Sequence, residues 1–94
     1  MSKSRFKDGF TRRVFEGFYV KGFPSNLTRK AVIKLTMVEA ATELRELATP
    51  PSNHLEKLSG DRKDQWSIRI NDKYRICFEW SNNCACEIEL TDYH

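Results

Sequence analysis

The chain has 94 residues and a formal net charge of +3, a length that suits one domain over residues 1–94 and leaves no room for a second. It has no apolar stretch of the roughly 18 residues that a membrane span needs and no signal peptide, so we expect a cytoplasmic protein without a membrane partner. Residues 1–34 hold nine Lys and Arg against two acids (+7), and residues 35–94 hold seven against eleven (−4). This asymmetry favours a nucleic acid partner, with anionic lipid or an acidic protein as alternatives.

Two short elements are expected before the chain first breaks. Residues 4–7 have the pattern of a short strand, and residues 11–18 have apolar side chains at helical spacing. Gly17, Gly22 and Pro24 then interrupt regular structure.

A long helix is predicted over residues 27–48, with Ser25 or Asn26 as its N-cap and Pro50 and Pro51 as its stop. Its apolar side chains recur every three or four residues and form one buried stripe: Leu27, Ala31, Leu35, Val38, Ala41, Leu44 and Leu47. Three cations lie largely off this stripe: Arg29, Lys30 and Lys34. A solvated helix face and an RNA-facing surface both account for them.

The second half of the chain alternates with period two and predicts three antiparallel strands with one buried face. The apolar positions are all even-numbered: Trp66, Ile68, Ile70, Tyr74, Ile76, Phe78, Trp80, Cys86, Ile88 and Leu90. The two helices that precede the strands must cover this apolar face. The predicted architecture is therefore α+β, with two N-terminal helices packed on one face of a small antiparallel sheet.

The same parity predicts the strand register. A turn of three residues, 71–73, sets Arg69 opposite Arg75, and a second turn of three, 81–83, sets Arg75 opposite Glu89. Two arginines that face each other across strands cost up to about 1 kcal/mol, and an anion bound between them would remove that cost. Lys57, Arg62 and Lys63, in the loop before these strands, are expected to line the same concavity; a solvated charge cluster is the alternative.

The last predicted strand ends in Asp92, Tyr93 and His94, which carry acid-base chemistry. RNA cleavage by attack of a 2′-hydroxyl on the adjacent phosphate needs a base, an acid and cations, but no metal. His94 can act as base or acid, Asp92 as base or orienting group, and Tyr93 as proton donor or stacking platform. Arg75 is the expected transition-state clamp, because a guanidinium offers forked donors to two phosphate oxygens. A strand end with a satisfied histidine is the alternative.

The remaining histidine, the aromatic residues of the strands and the cysteines are explained by structure and not by catalysis. His54 lies in a loop after two prolines, where a lone histidine is usually a surface residue. Four aromatic residues could stack on bases, but their parity assigns them to the core: Trp66, Tyr74, Phe78 and Trp80. The three cysteines are interpreted as reduced thiols, and neither a metal nor a cofactor is expected, because the chain has no second Cys-x-Cys pair and only two histidines.

Several ordered motifs together resemble the HigB toxins, a branch of the RelE/ParE superfamily. They read AATELR at 40–45, PPSN at 50–53, LE at 55–56, LSGDRK at 58–63, SIRINDKYRICF at 67–78 and DYH at 92–94. The resemblance covers nearly the whole chain. It implies a bacterial toxin of a type II toxin-antitoxin pair, with a RelE-like fold, that enters the ribosomal A site and cleaves mRNA there.

The resemblance also implies partners and site residues. A HigA-like antitoxin with a helix-turn-helix domain would neutralise the toxin and bind operator DNA, so that the toxin meets that DNA only through its antitoxin. Arg75, Asp92, Tyr93 and His94 match the family's proposed active site, and Arg69 and Arg62 match basic positions that resemble phosphate contacts. Lys63, Lys57, Lys34 and Lys30 complete the expected RNA-binding set.

Two positions depart from the family pattern. Many relatives have a lysine at the position of Ser59 and a glycine at that of Asp64, which implies weaker cleavage here. In another branch of the family a histidine aligns with Glu56. His54 therefore does not inherit the role of that histidine by position.

Two other functions stay open at this stage. The ParE branch of the superfamily shares the fold and inhibits DNA gyrase by binding, a mode that does not need Arg75 with Asp92, Tyr93 and His94. An RNA-binding module that uses the basic first third predicts salt-sensitive affinity without cleavage.

Overall fold

Two α-helices and a four-stranded antiparallel sheet form the fold in the computed structural model, which describes residues 5–92. The helices are α1 (Gly9–Phe15) and α2 (Thr28–Ala40), and the strands are β1 (Glu56–Lys57), β2 (Gln65–Arg69), β3 (Tyr74–Ser81) and β4 (Cys84–Asp92). The strands lie side by side in chain order. The predicted α+β class is therefore confirmed: β2, β3 and β4 correspond to the three predicted antiparallel strands, and β1 was not predicted. None of the described helices is long and apolar enough to span a bilayer.

The start of the described chain differs from the prediction of a first strand over residues 4–7. Within the described residues only an isolated parallel bridge joins Phe6 to Ile88. Asp8 then caps α1, since its Oδ1 accepts the Thr11 N–H at 2.9 Å, and the helix begins at Gly9 instead of residue 11. It ends at Phe15 instead of residue 18, because Gly17 takes a left-handed conformation with φ +94°.

The prediction of one helix over residues 27–48 was wrong. Ser25–Leu27 is a separate 3₁₀ turn, neither Ser25 nor Asn26 caps α2, and α2 ends at Ala40. The chain is extended at Ala41 and then forms a second 3₁₀ turn, Leu44–Ala48.

A capping box explains the break after α2. The Glu46 carboxylate accepts the N–H groups of Thr42 and Glu43 at 2.9 and 3.1 Å, so these amides do not continue the helical ladder. These backbone hydrogen bonds lower the pKa of Glu46. Ala41 and Leu47 are buried all the same, and the apolar stripe therefore concealed the break.

The register between β2 and β3 agrees with the prediction. Arg69 pairs with Arg75, and the Ile70 N–H donates to the Tyr74 carbonyl at 3.0 Å across residues 71–73. Asn71 organises this turn, because its side-chain oxygen accepts the N–H groups of Lys73 and Tyr74 at 2.9 and 2.8 Å.

The predicted register between β3 and β4 was wrong. The turn has two residues, Asn82 and Asn83, both with positive φ (53° and 62°), which is typical of a tight hairpin. A β-bulge then restores the parity: Glu87 has φ 51°, and the register shifts between Cys77 and Glu79.

The bulge changes which residues of β4 reach the core and the arginines. Arg75 pairs with Thr91 instead of Glu89, and Glu89 pairs with Cys77. Ala85 is fully buried where Cys86 was expected, and Cys86 is only partly buried.

One apolar core joins the helices to the sheet. Its largest fully buried members include Phe78, Leu35, Leu47, Ile68, Ile70, Ile76 and Ile88. Tyr74 and Phe78 are buried, and Trp66 and Trp80 pack partly buried against the same cluster, which confirms the core assignment of these aromatic residues. On the opposite face of β2 and β3, which we call the open face, Arg69 and Arg75 lie in adjacent strands and are partly exposed, whereas Ser67 and Cys77 are fully buried. The prediction that only one face of the sheet is buried was therefore wrong for the middle of these two strands.

Candidate functional site

Three segments hold the guanidinium of Arg75 on the open face. Its Nε donates to the Ser67 hydroxyl at 2.9 Å, and its Nη2 donates to the His54 carbonyl at 3.1 Å. The same Nη2 lies 3.1 Å from Oε1 of Glu56, and 14% of the Arg75 side chain is exposed. Ser67 belongs to β2, Glu56 to β1 and His54 to the loop before it, so the sheet orients this cation before any ligand binds.

Two adjoining depressions in the surface contain the candidate site. The larger, about 560 Å³, is lined by His54, Leu55, Glu56, Arg69, Asn71, Asp72 and Arg75. The smaller, about 320 Å³, is lined by Lys30, Lys34, Ser52, His54, Arg69, Ile70, Asn71 and Asp72. They share four lining residues, so we treat them as one feature and call it the groove. Four cations proposed from the sequence thus line it: Arg69, Arg75, Lys30 and Lys34.

Carboxylates of the protein compensate both arginines of the groove. Asp72 forms an ion pair with Arg69 within the same turn, and Glu56 forms one with Arg75 from a different strand. The Asp72 and Glu56 side chains are 95% and 54% exposed. The opposed arginines therefore do not need a bound anion to relieve their repulsion, and the cationic end of the groove is the one lined by Lys30 and Lys34.

The loop before β1 is anchored by a buried ammonium. Lys34 is only 9% exposed and donates to Oδ1 of Asn53, which is fully buried. The Asn53 amide nitrogen donates in turn to the carbonyls of Leu47 and Thr49 at 3.1 and 3.3 Å. Burial, with a smaller contribution from Lys30, lowers the pKa of Lys34. This network determines where the following residue, His54, leaves the loop in a left-handed conformation with φ 48°.

We predict that Asn53→Ala lowers the free energy of unfolding by about 3 kcal/mol, because it leaves the Lys34 ammonium and two carbonyls without a partner in a buried place. Urea denaturation measures the change. The exposed neighbour gives a matched control, since Ser52→Ala should stay within about 0.5 kcal/mol of wild type. Equal stability of the two variants would show that the network does not hold the loop.

Three cations of the expected RNA-binding set line neither depression, contrary to the expectation that their loop shares the concavity. Nη1 of Arg62 lies 2.9 Å from the Gln65 side-chain oxygen and 3.1 Å from Glu89. Lys57 lies over the Trp66 ring, 5.8 Å from its centroid. Lys63 is exposed at the end of the 3₁₀ turn Gly60–Arg62. The two-residue strand β1 explains the position of Lys57, because its pairing with Ser67 and Trp66 sends Glu56 and Lys57 to opposite faces.

The end of β4 lies beside Arg75. Thr91 pairs with Arg75, and Asp92 pairs with Tyr74, so Asp92 follows one position further along the strand. Because paired residues share a face, Asp92 extends from the side of Tyr74, and its Oδ2 lies 3.8 Å from the Lys73 ammonium. Tyr93 and His94 lie outside the described residues.

Sequence reasoning underrated two residues of the groove. His54 is exposed, as expected for a surface histidine, yet it lines both depressions. Glu56 contacts the guanidinium of Arg75, although the sequence analysis considered it only as the counterpart of a histidine in relatives. Spacing gave no signal for this, because His54 is left-handed and only Glu56 and Lys57 are in the strand.

Comparison with known proteins gives concordant matches. A family described as the RelE-like toxin of type II toxin-antitoxin system HigB matches residues 4–94. An uncharacterized protein of Haemophilus influenzae is 33% identical over 84 residues, which cover 88% of this chain and 83% of that protein. Toxin HigB-1 of Vibrio cholerae is 37% identical over 67 residues, or 71% and 70% of the two chains. Endoribonuclease HigB of Proteus vulgaris is 32% identical over 89 residues, or 95% and 96%.

Proposed function

Since this chain belongs to the HigB-like family of toxins of type II toxin-antitoxin systems, we propose that it is an endoribonuclease that cleaves mRNA in the ribosomal A site and so inhibits translation. The observation that carries this proposal is the oriented guanidinium of Arg75 at the edge of a groove with further cations. A fixed fork of donors suits the phosphate charge that builds up during cleavage.

We assign the chemistry to Arg75 together with Asp92, Tyr93 and His94. Arg75 would bind the scissile phosphate, while the other three residues supply acid and base for the 2′-hydroxyl and the leaving 5′-oxygen. This mechanism does not require a metal or a cofactor. The pairing of Thr91 with Arg75 supports a strand end beside the guanidinium, but Asp92 itself extends from the opposite face, that of Tyr74.

We propose that Arg69 and Lys30 contact phosphates of the RNA strand in the groove, because a cationic groove follows a single-stranded backbone. Lys34, whose ammonium is buried against Asn53, would contribute only its charge. Arg62, Lys63 and Lys57 would contact RNA outside the groove, a role that only their charge supports. Cleavage and binding should therefore weaken as salt increases, with the lysines contributing to the salt slope more than to the chemistry.

The remaining assignments follow from the family. We propose a HigA-like antitoxin with a helix-turn-helix domain as the partner, operator DNA as a ligand of that complex only, and the cytoplasm, without a membrane partner, as the location. We also assign the fold to the RelE-like type, with α1 and α2 on one face of the sheet. Buried side chains of both helices support this, since Val14, Ala31 and Leu35 belong to the same core as Ile68 and Ile76.

A translation reaction with a defined mRNA tests the proposal. Cleavage inside the reading frame, with less cleavage when ribosomes are omitted, is the expected result. Intact mRNA together with inhibited supercoiling in a gyrase assay would instead support a ParE-like inhibitor. RNA binding without cleavage under any condition would support a plain RNA-binding module.

A further inference from the structure

We propose that Lys34 is a positioning residue for mRNA cleavage, which acts through Asn53 and the loop that follows it on the guanidinium of Arg75. The inference rests on the proposed function, because it assigns a role in the same reaction. A buried lysine of the helical layer would thus help to hold the cation that stabilises the phosphate charge on the other layer.

The Lys34 ammonium is buried without a countercharge. Among the residues that the structure describes, no carboxylate forms an ion pair with it. It donates instead to the neutral amide oxygen of Asn53, and the like charge of Lys30 lies near enough to disfavour it further. Burial of an ammonium that has no opposite charge beside it is unfavourable for folding. A role in the reaction gives a reason for a lysine at this position.

A chain of hydrogen bonds connects Lys34 to the loop that contacts Arg75. Asn53 accepts from the ammonium, and its amide nitrogen donates to the carbonyls of Leu47 and Thr49 at 3.1 and 3.3 Å. Asn53 is itself fully buried. It is therefore held both against α2 and against the 3₁₀ turn that follows α2.

His54, the next residue, connects this network to the site. Its backbone is left-handed, with φ 48° and ψ 52°, a conformation that is unfavourable for a residue with a Cβ and persists only where the surroundings hold it. Its carbonyl accepts Nη2 of Arg75 at 3.1 Å. Without Lys34, we expect His54 to relax to an ordinary backbone conformation. Its carbonyl would then turn away from Nη2, and the guanidinium would lose one of its three supports.

The alternative is that Lys34 serves the groove only as a charge. Lys34 and Lys30 line the same depression, and a cation there attracts RNA whether or not it is bonded to Asn53. Two substitutions separate these explanations. Lys34→Met removes both the charge and the donor, whereas Lys34→Gln removes the charge but keeps N–H groups that can donate to Asn53.

The first experiment measures the single-turnover rate of mRNA cleavage on ribosomes and, separately, the binding of a 2′-O-methyl oligoribonucleotide. That oligoribonucleotide has no 2′-hydroxyl proton to lose and so reports binding alone. We expect Lys34→Met to lower the cleavage rate by about 100-fold, a usual effect of a misplaced reacting group, and Lys34→Gln to recover most of it. Both variants should lose the same modest affinity, since both lose the charge. Lys30→Met, which removes a cation from the same depression, measures the effect of charge on affinity.

The second experiment tests whether Lys34 acts through Arg75. In an Arg75→Ala background, Lys34→Met should change the cleavage rate by less than about threefold, because the group that it positions is absent. The effect of Lys30→Met on affinity should be the same in both backgrounds.

The third experiment does not depend on activity. Proton exchange at Nε of Arg75, which donates to the Ser67 hydroxyl, can be followed by NMR in protein labelled with ¹⁵N-arginine. The exchange should be roughly tenfold faster in Lys34→Met than in wild type, because the guanidinium opens more often. Lys34→Gln should resemble wild type.

Three results would overturn the inference: cleavage by Lys34→Met at the wild-type rate, equal losses in the two Lys34 variants with unchanged exchange at Arg75, or additive losses in the double variant. Thermal unfolding of Lys34→Met should stay close to that of wild type, because relief of the buried charge offsets the unpaired oxygen of Asn53. If Lys34→Met does not fold, Lys34→Gln alone decides, since a large loss of rate in it contradicts the hydrogen-bonded role.

Failure of the wild-type protein to cleave mRNA would refute the proposed function instead. The exchange rates at Arg75 would then still show whether Lys34 holds the guanidinium.

Discussion

Arg75→Ala should reduce mRNA cleavage by about 1,000-fold or more, because the guanidinium is the cation of the proposed chemistry that three segments of the fold hold in one orientation beside the groove. The loss should appear in kcat more than in KM, since the interaction strengthens as charge develops. Single-turnover cleavage of a defined mRNA on stalled ribosomes measures it. Arg75→Lys should recover little, because an ammonium cannot keep the contacts to Ser67, His54 and Glu56 together.

The control for this variant is Arg69→Ala, which removes the same side chain from the paired position on β2. Arg69 lines both depressions, and its charge is already offset by Asp72. We expect its loss to act mainly on KM and on salt dependence. Similar kcat losses in the two variants would contradict a special role of Arg75 and favour a general requirement for positive charge.

Removal of residues 92–94 should lower cleavage by about 100- to 10,000-fold, since it deletes the proposed proton donors. The mRNA should still bind, because the groove cations are unchanged. The measurement compares the rate of cleavage in the translation reaction with the affinity for a 2′-O-methyl oligoribonucleotide. Single substitutions separate the contributions of the residues to the rate of cleavage. His94→Ala and Tyr93→Phe should show which residue gives its proton to the leaving oxygen.

Folding must be checked for this deletion. It removes the pairing of Asp92 with Tyr74, whose side chain belongs to the core. The midpoint temperature of thermal unfolding should fall only slightly, because the other residue pairs between β3 and β4 stay intact. Full cleavage by the deletion variant would refute the acid-base assignment of the segment, and unchanged rates in both single variants would place the acid elsewhere in the groove.

The sequence predicted the parts of the site that depend on local alternation. The Arg69 and Arg75 pair followed from parity and a three-residue turn, both of which the structure contains. The partner of Arg75 on β4 could not be predicted, because the bulge at Glu87 adds a residue to one strand without a mark in the apolar pattern. Thr91 therefore took the place expected for Glu89.

α2 and β1 show the same limit of prediction from the apolar pattern. The stripe of α2 continues through Ala41 and Leu47 although the helix has ended, because the chain bends and buries both again. β1 has two residues, too few to reveal alternation, and so Glu56 stayed hidden as a neighbour of Arg75. The helices and the three long strands were predictable in kind and approximate place, whereas the end of α2 and the two-residue strand β1 were not.

The bulge at Glu87 separates the hairpin into two halves that can vary independently. Without the extra residue, the pairing beyond Cys77 would shift by one, Leu90 would turn out of the core, and the strand end would present its opposite side to Arg75. A one-residue insertion or deletion in the distal turn could be absorbed at the same point. The bulge thus determines that Leu90 enters the core while Thr91 lies beside Arg75.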